Sequence, residues 1–360
     1  MIMRIEIENF RCFQNFSMDN IAPITVIGGR NNSGKTALLE SIVVPLAINF
    51  PIVFWNLMGL RNVSTPSVSP SQMWNPLFFN MEDTAKFTIR IVQTNGAEVA
   101  FTAAKVYNST IRLNEANRRM FPQNASKHFS SLEVSIKTGE YTGTGKYTLP
   151  NSISSNPSDL NFVPDGKADQ IQLPYGAVTF YRSLTTGASL AESVSKTILD
   201  RDKKALLIST MQHFDANITD LNTVLDNGVP CLYVTLNSGK HLPVNYMGDG
   251  VNKALEMLTF ILNLSGGILL VDEAENGFHY SLYNKLLKIL FETALKVNCQ
   301  IIMTTHNRDF IEAALGSIKE IGRIDDIGYQ RLGFSKGIRK AFAFTGDELT
   351  DAFKMDMEMR

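Results

Sequence analysis

A glycine-rich octapeptide near the N-terminus matches the pattern G-x-x-x-x-G-K-[ST]. Backbone N–H groups of such a loop surround a phosphate, and the positive end of the following helix dipole favours anions. The lysine of the pattern reaches the β and γ phosphates, and the adjacent hydroxyl is placed to ligate Mg²⁺. The pattern therefore predicts binding of ATP with Mg²⁺ by Gly29, Arg30, Asn31, Asn32, Ser33, Gly34, Lys35, Thr36 and Ala37.

Two adjacent carboxylates, Asp272 and Glu273, follow the apolar run 268–271. An acid at the end of a buried strand can hold Mg²⁺, and an acid beside it can orient or deprotonate an attacking water. The alternative is a strand that ends in two solvated acids. In combination with the glycine-rich loop, the pair predicts Asp272 as a metal ligand together with Thr36, and Glu273 as a general base.

A single histidine, His306, follows the apolar run 300–303 and two threonines. At the end of a strand, a histidine can hydrogen-bond the γ-phosphate and respond to its presence. A lone histidine is more often structural, but the two motifs described above favour a ligand role here. The predicted catalytic residues are therefore Lys35, Glu273 and His306.

These side chains need elements that bring them together. The runs 24–27, 268–271 and 300–303 are short, apolar and rich in β-branched residues, which indicates buried strands. Apolar residues at helical spacing follow Lys35, so a strand, a glycine turn and a helix succeed each other as a phosphate-binding loop requires. This context argues against a chance glycine turn.

Two further segments compete for the role of a second phosphate-binding turn. Leu264-Ser265-Gly266-Gly267 spells an LSGG signature, but it lies directly before the strand 268–271 and leaves no space for the helix that a signature must begin. We therefore predict that it ends a helix and turns into the strand. The better candidate is Gly248, Asp249 and Gly250, which precede a long apolar-periodic helix; the alternative there is a plain cap, with Asp249 as the capping residue.

Composition limits the remaining function classes. The 360 residues include 34 basic and 35 acidic residues and have a net charge of −1, so no global field attracts nucleic acid. Three widely spaced cysteines and an N-terminus without a signal-peptide pattern suggest a cytoplasmic protein. The uncharged stretch 41–60 is long enough for a membrane span, but prolines and asparagines interrupt it and we expect no membrane association.

The rest of the chain has weaker patterns. Alternation around Asn95-Gly96 predicts a β-hairpin, residues 132–149 predict a second β pair, and 63–72 reads as a loop. Residues 188–214 are predicted to be helical, as a lid-like arm whose charged face at 201–204 is either solvated or a nucleic-acid contact. The tail is predicted to form two strands and a closing helix capped near Gly346.

The order of these motifs resembles that of prokaryotic AAA-type ATP-binding-cassette ATPases related to RecF, SMC heads and the overcoming-lysogenisation-defect nucleases. The resemblance covers about residues 1–45 and 178–316. It implies an α/β fold, an ABC-ATPase-like P-loop fold with a mixed central sheet, an antiparallel β subdomain and a helical arm. The corresponding single head would combine a P-loop core at 1–50 and 178–316 with a β subdomain at 85–150, an arm at 186–225 and C-terminal elements at 317–360.

The resemblance also implies a dimer of heads driven by ATP, with each nucleotide held between the Lys35 loop of one subunit and the Gly248–Gly250 turn of the other. Glu275 and Asn276 would contact the partner subunit, and Arg11 would border the nucleotide. The signature serine is replaced by Gly248, which has no hydroxyl to contact the γ-phosphate. The sequence contains no heptad pattern. The segment that follows His306 is too short for a toprim domain.

The expected function is an ATP-hydrolysing switch that controls a separate effector, such as a toprim-type nuclease or a toxin, in defence against phage. Two alternatives stay open. One is a DNA-repair head that acts directly on nucleic acid, and the other is a scaffold that binds ATP and barely hydrolyses it.

Overall fold

A computed structural model describes residues 1–50, 52–59, 73–81, 86–108, 128–139, 141–148, 161–165, 178–181, 187–355 and 357. The loop predicted at 63–72 lies outside these residues. The chain forms two compact units. The first unit comprises residues 1–4, 18–39 and 175–360, and the second comprises residues 5–17 and 40–174.

The strands and helices of the described residues are numbered in chain order. The strands are β1 (Ile2–Phe10), β2 (Phe13–Met18), β3 (Ile24–Gly29), β4 (Lys86–Gln93), β5 (Glu98–Asn108), β6 (His128–Thr138), β7 (Tyr141–Thr148), β8 (Asn161–Asp165), β9 (Val178–Tyr181), β10 (Ile218–Asp226), β11 (Val229–Leu236), β12 (His241–Pro243), β13 (Ile268–Val271), β14 (Gln300–Thr304), β15 (Ile327–Ser335) and β16 (Ile338–Thr345). The helices are α1 (Lys35–Val43), α2 (Ile52–Gly59), α3 (Gly187–Thr197), α4 (Arg201–Met211), α5 (Asp249–Asn263), α6 (Tyr283–Lys296), α7 (Arg308–Ile321) and α8 (Gly346–Lys354).

A six-stranded mixed sheet forms the centre of the first unit, in the order β16-β15-β3-β14-β13-β9. Neighbouring strands from β15 to β9 are parallel, and only β16 pairs antiparallel. Every residue of β3, β13 and β14 is buried. Helices typically cover both faces of such a parallel sheet, so its central strands have apolar side chains on both faces and read as continuous apolar runs. The carboxyl ends of these three adjacent strands therefore meet at one edge, which confirms the predicted mixed α/β class.

Amphipathic helices supply the rest of this core. The helices α5, α6 and α7 each bury one face in the same apolar cluster as β3, β13 and β14. A smaller sheet of β10, β11 and β12 packs its buried side chains into this cluster as well.

The segment predicted as a helical, lid-like arm is helical, and its role as a lid stays a prediction. The segment folds into two helices, α3 and α4, whose apolar faces belong to the core cluster of the first unit, and the strand β10 follows them. Asp200 caps α4 by accepting from two backbone N–H groups, one of them that of Lys203. The Lys203 ammonium donates to the carbonyl oxygen of Leu262 at 3.1 Å, and Lys204 lies 2.8 Å from Asp220. Two of the four residues in the charged run 201–204, Lys203 and Lys204, thus make side-chain contacts within the chain. A nucleic-acid contact is the alternative role for this run.

The LSGG segment is a turn, as predicted. The helix α5 ends at Asn263, β13 begins at Ile268, and Gly266 between them has a φ of 72°. The Gly266 N–H donates to the carbonyl oxygen of Val297 at 3.1 Å, so the turn is tied to the chain just before β14.

The second unit contains most of a seven-stranded sheet, in the order β2-β1-β4-β5-β6-β7-β8. The hairpin at Asn95-Gly96 and the β6–β7 pair are both present and antiparallel, as predicted. The sheet extends beyond the predicted subdomain 85–150, because β1, β2 and β8 also belong to it. Large aromatic side chains fill its core, including Phe54, which meets Trp74 and Tyr147 edge to face.

The C-terminal segment 317–360 is part of the first unit. The strand β15 pairs in parallel with β3, so the phosphate-loop strand lies inside the sheet and not at its edge. The closing helix α8 is capped by Thr345, whose hydroxyl accepts from the Glu348 N–H. The Glu348 carboxylate in turn accepts from the Thr345 N–H. The cap is thus one residue before the predicted position.

The uncharged stretch 41–60 is divided between the end of α1, a 3-10 turn at Val44–Ile48 and α2. Across the described parts of the chain, no helix is both long and apolar enough to cross a membrane.

Candidate functional site

The glycine-rich loop joins β3 to α1, as predicted. The backbone at Gly29, Asn32 and Gly34 adopts positive φ angles of 144°, 64° and 107°. A Cβ at Gly29 would lie 2.6 Å from the carbonyl oxygen of Leu332, so both the φ angle and the close approach require glycine. The Lys35 ammonium folds over this loop and donates to the carbonyl oxygens of Gly29 at 2.7 Å and Arg30 at 3.1 Å.

Two properties of the loop suit an anion. The buried Ser33 hydroxyl oxygen has no hydrogen-bond partner among the described residues, although buried polar atoms are usually paired. Burial lowers the pKa of Lys35, and the nearby carboxylates of Asp272, Glu275 and Glu273 oppose this shift. The loop therefore combines a cation with a hydroxyl that an oxyanion would satisfy.

Asp272 connects the glycine-rich loop to β13. The Thr36 hydroxyl donates to Asp272 Oδ2 at 2.8 Å, and the Thr304 hydroxyl donates to Asp272 Oδ1 at 2.7 Å. The Asp272 side chain is buried, with 4% of its surface exposed. Its two oxygens are thus held by Thr36 in the first turn of α1 and by Thr304 at the end of β14.

The donor set of Thr36 and Asp272 fits Mg²⁺, which prefers oxygen ligands and takes one or two carboxylates while phosphates and waters supply the rest. No group of three or more His, Cys, Asp or Glu side chains that could hold a metal ion is found in the described residues. A metal that relies on substrate oxygens is compatible with so small a set of protein ligands.

Glu273 begins the segment 273–278, here called the acid loop. Its φ of 49° is unusual for a non-glycine residue, and its N–H donates to the Thr304 hydroxyl at 2.9 Å. The side chain is exposed, and its Oε2 accepts from the Asn276 amide at 2.7 Å. A carboxylate that faces solvent next to the buried Asp272, the predicted metal ligand, is positioned to act on water.

Glu275 holds His306. The Glu275 carboxylate, 5% exposed, lies 2.9 Å from His306 Nδ1 and accepts from the His306 backbone N–H at 2.9 Å. A buried carboxylate on one ring nitrogen fixes the ring orientation and leaves the other nitrogen for a ligand. Glu275 and Asn276 thus make contacts within the chain, and their predicted contact with a partner subunit stays a prediction.

Lys253 is a side chain of this site that the sequence analysis missed. It lies in the second turn of α5 with 3% of its surface exposed, and its ammonium donates to three backbone carbonyl oxygens of the acid loop. The distances are 3.1 Å to Glu273, 3.1 Å to Ala274 and 2.8 Å to Asn276. Burial lowers its pKa to about 8. A lysine on the apolar face of a predicted helix was the available signal.

The candidate signature turn begins α5 as predicted. Gly248 is the N-cap, with a φ of 94° and no side-chain cap hydrogen bond, and Asp249 is the first helical residue. The alternative with Asp249 as the capping residue is therefore wrong. A Cβ at Gly250 would lie 2.6 Å from the carbonyl oxygen of Gly277, so the first turn of α5 packs directly on the acid loop.

Arg11 belongs to the second unit. Its Nε lies 2.9 Å from Glu40 Oε2, and its Nη1 donates to the carbonyl oxygen of Pro76 at 2.9 Å. Glu40 is fully buried, so Arg11 compensates a buried charge within its own unit. Its predicted place beside the nucleotide stays a prediction.

Comparisons with known proteins identify several that this chain resembles. An "ATP/GTP phosphatase" of Helicobacter pylori is 26% identical over 339 residues, which are 89% of each chain. The SMC head domain from Thermotoga maritima is 9% identical with a TM-score of 0.45 and covers 95% of this chain and 98% of its own. An SMC head bound to the C-winged helix domain of ScpA is 11% identical with a TM-score of 0.48, covering 98% and 99%.

The family of AAA ATPase domains matches residues 1–120 and 185–311, more than half of the chain. These ranges contain the glycine-rich loop, the candidate signature turn, both acids and the histidine. The chain belongs to the family of AAA ATPase domains.

Proposed function

We propose that this protein binds ATP with Mg²⁺ and hydrolyses it at the edge where β3, β14 and β13 end. The observation that carries the proposal is a continuous set of hydrogen bonds from Thr36 through Asp272 and Thr304 to the Glu273 backbone. This set ties the phosphate loop to the predicted metal ligand and to the predicted base.

Each side chain has a distinct role in the proposal. Lys35 and the loop N–H groups bind the β and γ phosphates, and Thr36 and Asp272 would hold Mg²⁺. When bound, the ion neutralises phosphate charge. Glu273 orients the attacking water and accepts its proton, and His306, fixed by Glu275, donates a hydrogen bond to the γ-phosphate.

We further propose that two heads associate around ATP, with the Gly248–Gly250 turn of each head against the nucleotide of the other. The turn supports this because it begins a helix of 15 residues whose N-terminus has no side-chain cap. Uncapped N–H groups at a helix N-terminus attract anions. The absence of a serine side chain at position 248 predicts a weaker contact and slow turnover.

The biological role that the family resemblance favours is control of a separate effector, a nuclease or a toxin, in defence against phage. The name of the Helicobacter pylori relative supports a comparison of GTP with ATP as substrates. A DNA-repair head is the alternative that acts on nucleic acid directly, and the net charge of −1 is unfavourable to it.

Steady-state phosphate release and particle mass test the proposal. Wild type, Lys35→Ala and Glu273→Gln are compared with ATP or GTP, each with and without duplex DNA. We expect slow wild-type turnover, its loss in both variants, and a nucleotide-bound dimer trapped by Glu273→Gln. Turnover unchanged by Glu273→Gln would exclude Glu273 as the base. Strong stimulation by DNA would favour the repair alternative.

A scaffold that binds ATP without hydrolysing it is the second candidate, because Gly248 offers no hydroxyl to the γ-phosphate. It predicts an ATP-dependent dimer in wild type with no phosphate release above that of Lys35→Ala. The same measurements therefore separate the two functions.

A further inference from the structure

Three kinds of contact join the first turns of α5 to the acid loop. Gly250 packs on the Gly277 carbonyl so closely that a Cβ at Gly250 would lie 2.6 Å from its oxygen. Lys253 donates to three carbonyls of the loop, and its ammonium lies 5.2 Å from the centre of the Phe278 ring. The signature turn and the loop that begins with Glu273 therefore form one packed structure.

The hydrogen bonding of Lys253 is well matched to its chemistry. An ammonium has three N–H donors, and here it donates to three carbonyl oxygens within one short segment. These carbonyls point inward because the acid loop turns sharply, with positive φ angles at Glu273 (49°) and Gly277 (84°). Without the ammonium, the three carbonyls would lose this donor; the Glu273 carbonyl would keep the Asn276 N–H at 3.1 Å, and the buried Ala274 contact would lose most.

We propose that Lys253 is a positioning residue, which fixes Glu273 relative to the first turn of α5. Any displacement of the signature turn is then transmitted to the predicted base of the same head. Lys253 does not touch the reacting atoms in this proposal, and it acts through the loop backbone. The proposal rests on the proposed ATP hydrolysis and adds to it a link between the signature turn and catalysis within one subunit.

The test compares Lys253→Met, which keeps the stem and removes the ammonium, with Lys253→Arg, which keeps donors and charge. Lys196→Met is the matched control, because Lys196 is a surface lysine with 72% of its side chain exposed. For each variant, kcat and KM for ATP, affinity for a fluorescent ATP analogue and melting temperature are measured. Gly250→Ala is added as an independent displacement of the same contact.

We expect Lys253→Met to lower kcat by about 10- to 100-fold, the effect of a small misplacement of a catalytic group, with analogue affinity unchanged. Lys253→Arg should recover most of kcat, Gly250→Ala should lower it, and Lys196→Met should match wild type. A folded Lys253→Met with wild-type kcat overturns the proposal. If Lys253→Met does not fold, the proposal is tested by Lys253→Arg alone. A kcat near that of wild type supports the role of Lys253 as a donor, and a folded Lys253→Arg without turnover overturns the proposal.

This outcome is distinguishable from failure of the proposed function. If wild type releases no phosphate, hydrolysis itself is excluded, and the coupling proposal falls with it. If wild type is active and Lys253 is dispensable, only the coupling proposal fails.

Discussion

Thr36 and Asp272 are 236 positions apart in the chain and share a hydrogen bond of 2.8 Å. The bond joins the first turn of α1, the helix that follows β3, to the residue after β13, and β14 lies between β3 and β13 in the sheet. Thr304 at the end of β14 completes the connection through the other carboxylate oxygen. Parallel strands with their carboxyl ends at one edge make this convergence possible.

Thr304→Val tests this connection. The substitution preserves shape but removes a fully buried hydroxyl that donates to Asp272 and accepts from the Glu273 N–H. Leaving these buried groups unpaired should lower the free energy of unfolding by about 1–3 kcal/mol, measured by urea denaturation, and should also reduce kcat. Thr350→Val removes a helix hydroxyl that bonds within its own turn, and we expect a smaller change in stability and normal turnover. Equal effects of the two variants would contradict the proposed importance of Thr304.

The LSGG segment is predicted to have no role in turnover, although its sequence matches a signature motif. Gly266→Ala should cost about 1–2 kcal/mol of stability, because its φ of 72° is unfavourable for alanine, but space around it is open. Its turnover should equal that of wild type, since the segment is a turn before β13. Gly250→Ala should instead reduce turnover. Loss of activity in a folded Gly266→Ala would restore the LSGG segment as a functional signature.

The pH dependence of activity should reflect Lys253. Burial lowers its pKa to about 8 from 10.5, and four nearby carboxylates oppose the shift without cancelling it, those of Glu275, Glu273, Asp272 and Glu256. Above pH 8 the neutral amine has two N–H donors for three carbonyls, so we expect kcat to fall. Turnover from pH 6 to 10 should show this alkaline decline in wild type, and Lys253→Arg, which stays protonated, should lack it.

Stability should change in the opposite direction over the same range. Between pH 8 and 10.5 the unfolded chain retains the Lys253 proton that the folded chain has lost, so the contribution of this group to the free energy of unfolding rises with pH. Denaturation curves compared with those of Lys253→Met isolate that contribution. A fall in stability that tracks the fall in kcat would indicate unfolding instead of a change at the site.

Glu275→Gln should uncouple His306 from the loop. The substitution keeps the size of the side chain but replaces a buried carboxylate 2.9 Å from His306 Nδ1 with a neutral amide. We expect kcat to fall by about tenfold, as for loss of a supporting contact behind a functional histidine, with little change in analogue affinity. His306→Gln should lower kcat at least as much, and the double variant should add little to it. Full additivity would show that the two residues act separately.

Much of this site could be predicted because local patterns encode it. The glycines of the phosphate loop reveal a backbone requirement, and short apolar runs reveal buried strands. These patterns correctly placed Lys35 and Thr36 at the start of a helix, and Asp272 and His306 just after the ends of strands. The LSGG segment was assigned to a turn because a strand begins directly after it, a constraint on chain length that needs no tertiary information.

The sequence by itself thus determined the elements and the residues at their ends, since both depend on neighbours in the chain. Only the tertiary structure decided the order of strands, the integration of α3 and α4 into the core, and the contacts of Lys253. A lysine in an apolar helix face is normally expected at the surface. It is stable inside only where three carbonyls of the acid loop, 20 to 23 residues later in the chain, converge on it. Such convergence is a property of packing, so no local pattern contains it.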